Sequence, residues 1–312
     1  MDYVHAIVLG IIQGIAELFP ISSAAHTLII SALLKWPLPS LPFVVMLHLG
    51  TFLAVLLYFA RDYWRLVVGF VTGFRDKFSQ PDQRLALLVI AGSIPLALVG
   101  KAGEPFFDQL FGMPVFASAF LLVTGTVLFV IERMPQPVET ETENLNPSHA
   151  RMWFPEVRMP NDFPGAAGLP WWKAVVVGLS QVGGLFPGGS RSGFSIATGM
   201  WAGLTREEAS RFSFLLAGPA IVGASAFELL RIINPKPLEE GASTLHGVAN
   251  LAAPAEPHLV IFTGFVVAFL VGLVAIRFFM RYVSDHKLTP FAYYCWAFGL
   301  VTMGILLTRH AG

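Results

Sequence analysis

Inside the long apolar stretches of this sequence the strongly polar residues are few, and they gather in two places. The first holds Gln13, Glu17, Ser22, Ser23 and His26. Gln13 and Glu17 are four apart and share a helix face, and His26 follows Ser23 by three, near its face. The second is Pro187-Gly188-Gly189-Ser190-Arg191-Ser192-Gly193. An intramembrane acid or guanidinium costs ~2.5–3.5 kcal/mol on insertion scales, so each is expected to be paired or functional. These residue types suit phosphoryl chemistry. Gly188, Gly189, Ser190 and Ser192 can turn backbone N–H groups and hydroxyls onto an anion ahead of a helix N-terminus. Arg191 can grip phosphate oxygens bidentately and offset the charge that develops as a phosphoryl group transfers. Glu17 with Gln13 can hold a hard divalent cation bridging phosphate oxygens. His26 can move a proton near neutral pH, and Ser23, if His26 reaches it, is a candidate nucleophile. A plain structural Glu17–Arg191 pair competes with this reading. It leaves the two serines and the histidine beside the acid, and the glycine–serine cradle around the arginine, without a reason. Ser22 reads as the cap of a half-helix and His48, in Leu47-His48-Leu49-Gly50, as an interhelical hydrogen-bonding residue.

The elements that position these residues are membrane helices. Hydrophobic residues make up 55% of the 312 and charged ones 13%, about half the soluble norm of ~25%. Twenty Lys+Arg balance twenty Asp+Glu, which excludes nucleic-acid binding by bulk charge, and the lone Cys295 excludes an intramolecular disulfide or a multi-cysteine metal site. The expected fold is an all-α integral membrane protein, because helices satisfy their backbone in lipid. The first apolar block follows Met1-Asp2 without a basic region and is expected to belong to the mature protein. Six stretches approach the ~20 residues that a span requires: Pro42–Ala60, Leu85–Gly100, Pro114–Ile131, Phe212–Leu230, His258–Phe279 and Thr289–Leu307.

Two further blocks, Val4–Leu34 and Trp172–Leu204, are broken at Phe19–Ser23 and Pro187–Gly193. Each half is too short to cross, so each block is expected to be a re-entrant helix–loop–helix hairpin whose non-helical tip lines a protein-enclosed or wet cavity. Offset by 167, Leu18-Phe19-Pro20 falls on Leu185-Phe186-Pro187, Ser23 on Ser190 and Ile29 on Ile196. Each block precedes three spans, an odd number, so the second half is expected to be inverted relative to the first, with the broken helices facing each other near the midplane. The expected organisation is a first repeat over 1–132 (hairpin 1–35), an inserted loop over 133–170, and a second repeat over 171–312 (hairpin 171–204). The regions 61–84, 133–173, 204–211 and 277–288 then share one side and carry 14 of the 20 Lys/Arg, which makes that side cytoplasmic. Both termini and the mouth of the first hairpin face out. Met134–Leu169 and Asn234–Pro257 read as solvated insertions.

With these residues placed, the chain resembles the undecaprenyl-diphosphatase family, the bacitracin-resistance proteins of the BacA/UppP type, over nearly its whole length outside the two insertions. The resemblance rests on Gln13, Glu17, Pro20, Ser22, Ser23 and His26, on Pro187, Gly188, Ser190, Arg191 and Ser192, and on the run from Gly203 to Leu216. It implies six transmembrane helices plus two re-entrant hairpins in an inverted repeat, in the bacterial inner membrane. It also implies hydrolysis of undecaprenyl diphosphate to undecaprenyl phosphate at a site open to the periplasm, with a divalent cation, Mg²⁺ or Ca²⁺. That reaction recycles the carrier lipid for peptidoglycan and other wall polymers, and so bears on cell shape and bacitracin resistance. By residue match, Glu17 and Gln13 serve the metal or the acid–base step, Ser23 and His26 are nucleophile and base, and Arg191 holds the phosphates.

Three positions depart from the family's pattern: Gln13 is the less acidic option, Ala24 replaces a hydroxyl residue, and Ala25 replaces glycine. The two loops are also longer than the family leads one to expect. Attack on the terminal phosphorus by Ser23, or by a water that His26 deprotonates, both remain open. The expected partners are the lipid substrate and the bilayer, with a homodimer as an option. A polyprenyl-phosphate transporter or flippase is the main rival, and a scaffold with a structural Glu17–Arg191 pair is the third.

Overall fold

A computed structural model describes residues 1–111, 113–135, 164–233, 245–246, 249–250 and 256–310. Twelve helices run through these segments: α1 (Tyr3–Ala16), α2 (Ser23–Leu34), α3 (Leu41–Tyr58), α4 (Ala60–Asp76), α5 (Pro81–Phe111), α6 (Pro114–Ile131), α7 (Pro164–Gly168), α8 (Trp171–Ser180), α9 (Arg191–Trp201), α10 (Arg206–Ile233), α11 (His258–Asp285) and α12 (Thr289–His310). The β structure among the described residues is a two-residue antiparallel pairing of β1 (Leu245–His246) with β2 (Ala249–Asn250).

Pro81–Gly103, Pro114–Ile131, His258–Asp285 and Thr289–Arg309 are each long and apolar enough to cross a bilayer. The pair Pro42–Tyr58 and Ala60–Asp76 makes a fifth crossing if counted together, and it bends by 80°. The expected span Phe212–Leu230 falls inside the 28-residue α10, which Pro219 interrupts without ending. The chain is a multi-pass membrane protein.

The two broken blocks are hairpins that return to their own side. At 14, 12 and 11 residues, α1, α2 and α9 are each about 16–21 Å long, short of the ~30 Å hydrocarbon core. The outer ends of the first hairpin sit together: the His5 and Trp36 rings lie 4.3 Å apart, and Arg309 of α12 donates to the Leu33 carbonyl at 2.8 Å. At its start Asp2 accepts from the backbone and ring of His5, which holds its carboxyl below the usual range. The ends of the second hairpin meet likewise, with Lys173 donating to Ala202 O at 2.7 Å. Helix contacts repeat when the halves are exchanged. α1 packs along α11 as α8 packs along α5, and α3 lies on α11 as α10 lies on α5, while α3–α10 and α6–α12 meet at the centre. The α5–α8 crossing is close because a Cβ on Gly178 would strike the Gly92 carbonyl.

Buried polar ties close the basic side. Glu132, at the end of α6, accepts two bonds from Arg206 at 2.8 and 2.9 Å and a third from Leu288 N at 2.8 Å, joining three connectors. Arg211 of α10 pairs with Asp62 of α4 at 2.8 Å.

Three expectations need correction. The solvated reading of Met134–Leu169 fails at its end: Ala166, Ala167 and Leu169 are buried where α7 packs on α5 and α10 (136–163 lie outside the described residues). Asn234–Pro257 is not wholly solvated either. Glu256 is buried and accepts from the Ser40 backbone at 3.0 Å and from its hydroxyl, anchoring the start of α3, while most of the remaining stretch lies outside the described residues. Finally, the second hairpin breaks before Pro187. α8 stops at Ser180 and a tighter 3-10 turn over Gln181–Leu185 leads into the tip, where Gly183 and Gly184 weaken the helix.

Candidate active site

The tips of the two hairpins meet inside the protein. In the first, α1 ends at Ala16, and Glu17–Ser22 turn back into α2. Ser22 makes that turn with a positive φ of 68°, and its hydroxyl accepts from Ala25 N at 3.3 Å, capping α2. A non-glycine residue held there stores strain at the tip. In the second, Ser190 caps α9 by accepting from Gly193 N at 3.1 Å. Gly188, at φ +96°, is the residue that lets this tip seat against α6. A Cβ there would strike the Ala117 carbonyl, and its own carbonyl accepts from Thr124 at 2.8 Å. The tips are tied directly, with the Ser192 hydroxyl donating to Phe19 O at 3.3 Å. Two helix N-termini, those of α2 and α9, thus open beside one another, an arrangement that favours an anion.

Glu17 is the centre of the polar cluster, its side chain only 10% exposed. Arg191 Nη2 donates to Oε1 at 3.1 Å, Ser23 Oγ donates to Oε2 at 2.7 Å, and Gln13 Nε2 donates to Oε2 at 3.3 Å. The Arg191 Nη1 is buried and has no hydrogen-bond partner. A buried guanidinium nitrogen without an acceptor is costly unless a ligand supplies one, and an anion between the two helix N-termini would.

The structure therefore joins Gln13, Glu17, Ser23 and Arg191 as one cluster and sets Ser22, Gly188, Gly189, Ser190 and Ser192 in the tips around it. It gives His26 other partners. The His26 Nδ1 bonds the Ser22 carbonyl at 2.7 Å, the Nε2 meets the Tyr294 hydroxyl at 2.7 Å, and the ring stacks 4.6 Å from Phe298. A carbonyl only accepts, so Nδ1 carries the hydrogen and, in the neutral ring, Nε2 accepts from Tyr294. Ser23 turns instead to the Glu17 carboxylate.

Two residues were missed in the sequence. Tyr294 gave no signal, being 268 positions from His26. His48 read as an interhelical residue. Its Nδ1 does bond Val44 O within α3 at 2.9 Å, but its Nε2 lies 3.8 Å from Glu17 Oε2. A titratable ring within a span is itself a pointer to function, and that signal was available.

These residues do not fit a resident divalent cation. Among the described residues Glu17 is the only carboxylate in the cluster, both its oxygens already accept hydrogen bonds, and Arg191 offsets its charge. Among the described residues no three His, Cys, Asp or Glu side chains gather as a metal cage. The assignment of Glu17 and Gln13 as cation ligands is thus at odds with what surrounds them.

The sequence profile of the family described as bacitracin resistance protein BacA matches residues 6–301. The chain is similar to an undecaprenyl-diphosphatase of Mycolicibacterium paratuberculosis, 35% identical over 307 residues, 95% of this chain and 94% of that protein. A second, from Acidiphilium cryptum, is 36% identical over 306 residues, 96% of each chain. A third, from Pelobacter propionicus, is 32% identical over 314 residues, covering both chains in full. With the two hairpin tips inside that span, the chain belongs to the BacA family of bacitracin resistance proteins.

Proposed function

We propose that this protein is an undecaprenyl-diphosphate phosphatase, acting at the outer face of a bacterial inner membrane to return the carrier lipid as its monophosphate. The observation that carries the reading is the Ser23–Glu17–Arg191 cluster, with a buried, unpartnered Arg191 Nη1 beside two helix N-termini. The names of the similar proteins supply the substrate.

In this mechanism the diphosphate lies between the hairpin tips. Arg191 and the N-termini of α2 and α9 hold its oxygens. As Arg191 turns part of its charge to the phosphate, Glu17 loses counter-charge and becomes a better base. The Ser23 Oγ attacks the terminal phosphorus while its proton passes to Glu17 Oε2. The bond from that phosphorus to the bridging oxygen breaks, and its electron pair leaves with undecaprenyl phosphate. Glu17 gives up its proton to the departing phosphate or to solvent. Water then attacks the phosphoserine, Glu17 takes the water proton and returns it to Ser23, and inorganic phosphate departs. The test is phosphate release from undecaprenyl diphosphate by protein purified in detergent, compared with Arg191→Ala. Release lost in the variant supports the reading, whereas no release from folded wild-type protein moves the weight to lipid transport.

A further inference from the structure

Beyond the residues of the phosphoryl-transfer reading, on which this inference rests, His48 of α3 stands beside the oxygen of Glu17 that takes the Ser23 proton. Its Nδ1 bonds the Val44 carbonyl at 2.9 Å, so that nitrogen carries a hydrogen, and in the neutral ring Nε2 is a lone-pair acceptor. It faces Glu17 Oε2 at 3.8 Å. A carboxylate oxygen also only accepts, and Oε2 already takes hydrogen bonds from Ser23 and Gln13. Two acceptors at that distance make no hydrogen bond.

Once Glu17 has taken the Ser23 proton, Oε2 becomes a donor, and the neutral His48 Nε2 is an acceptor 3.8 Å away on α3. Closing 3.8 Å to a bond of about 2.7 Å takes a small side-chain rotation. The His48 side chain is a third exposed and has room for it, while its backbone carbonyl is held by Thr51 Oγ1 at 3.0 Å. We propose that His48 is a positioning residue for the reaction: its Nε2 accepts a hydrogen bond from protonated Glu17, stabilising the acid only after proton transfer from Ser23. An interaction absent from the ground state and present after proton transfer raises kcat and leaves substrate binding alone. The opposite arrangement, an imidazolium paired with the resting carboxylate, would hold Glu17 ionised and oppose proton uptake.

The test is steady-state phosphate release from undecaprenyl diphosphate by full-length wild type, His48→Ala, His48→Gln and His48→Lys, with kcat taken per folded molecule from thermal unfolding in the same detergent. The expected result is a kcat about 10–100-fold lower in His48→Ala with KM within about twofold. His48→Gln, whose amide oxygen supplies an acceptor, should recover most of that loss, and His48→Lys should not. Wild-type kcat in His48→Ala, a change confined to KM, or a better rescue by Lys than by Gln would each overturn the proposal. Folded wild-type protein that releases no phosphate would instead overturn the hydrolase reading itself, which separates the two failures.

Discussion

Arg191 and Glu17 stand 174 residues apart in sequence, yet the guanidinium donates to the carboxylate at 3.1 Å, one group from each hairpin tip. The pair does two jobs that mutations can separate. Removing Arg191 alone leaves a buried, uncompensated acid, which costs about 3–5 kcal/mol of stability. It also removes the main counter-charge for the transferring phosphoryl group, so kcat/KM is expected to fall by about 10³. The double variant Arg191→Met with Glu17→Gln should regain most of the stability and none of the turnover. Thermal unfolding and phosphate release on the same samples check both halves of the statement.

Ser23 donates to Glu17 at 2.7 Å, and its proposed role as nucleophile rests on that bond. Ser23→Ala is expected to lower kcat at least about 10³-fold with the fold intact. Acid quenching of wild-type protein during turnover of substrate labelled at the terminal phosphate should trap label on serine. A Ser23→Ala protein that keeps a tenth of the activity would show that water attacks directly.

Tyr294 supplies the hydrogen bond to the acceptor nitrogen of His26 at 2.7 Å. Tyr294→Phe keeps the ring stack and deletes the donor, so a loss of about 1 kcal/mol in stability is expected. If His26 acts only by bracing the start of α2, through its bond to Ser22 O, turnover should fall no more than a few-fold. Kinetics of Tyr294→Phe beside His26→Gln distinguishes bracing from a direct part in the chemistry.

The donor set around Glu17 predicts weak cation binding in the absence of substrate. Mn²⁺ titrated into substrate-free protein, followed by its paramagnetic resonance signal, should remain free until about millimolar concentrations. Tight binding that Glu17→Gln abolishes would overturn the statement that no resident site is built here.

On the basic side, Glu132 joins α6, α10 and the start of α12 through Arg206 and Leu288 N. Glu132→Gln is expected to cost about 3 kcal/mol or more, read as a lower unfolding temperature, with kcat unchanged per folded molecule.

Much of this architecture was legible in the residues because membrane insertion makes polarity expensive. The uninterrupted apolar runs marked α3, α5, α6, α11 and α12, and Glu17 and Arg191 stood out as charges inside apolar blocks. The start of the second break was not legible. Gly183 and Gly184 lie in an apolar run that reads as a continuing helix, and only the packing of Gly183 against the Phe194 ring and of Gly184 against Arg191 shows why they cannot carry a side chain. α4 is not legible as an element either. Its charges at Arg61, Asp62 and Arg65 read as a connector, although Trp64, Val67, Val71 and Phe74 keep a helical period and lie exposed on one face. The position of His48 beside Glu17 depends on how α3 packs near the first hairpin, which no local pattern records.

The separation of Glu17 from Arg191 also has a consequence for synthesis. At a ribosomal rate of ~5–20 residues per second, the 174 residues between them take roughly 10–35 s to make. During that interval the first hairpin is already out of the ribosome, with an acid that has no guanidinium to meet. An unpaired acid is costly at that depth, so the first hairpin is expected to reach its final depth only when the second arrives. Docking of the two tips thus waits for the second hairpin, and a chain truncated before residue 191 should be a substrate for membrane quality control.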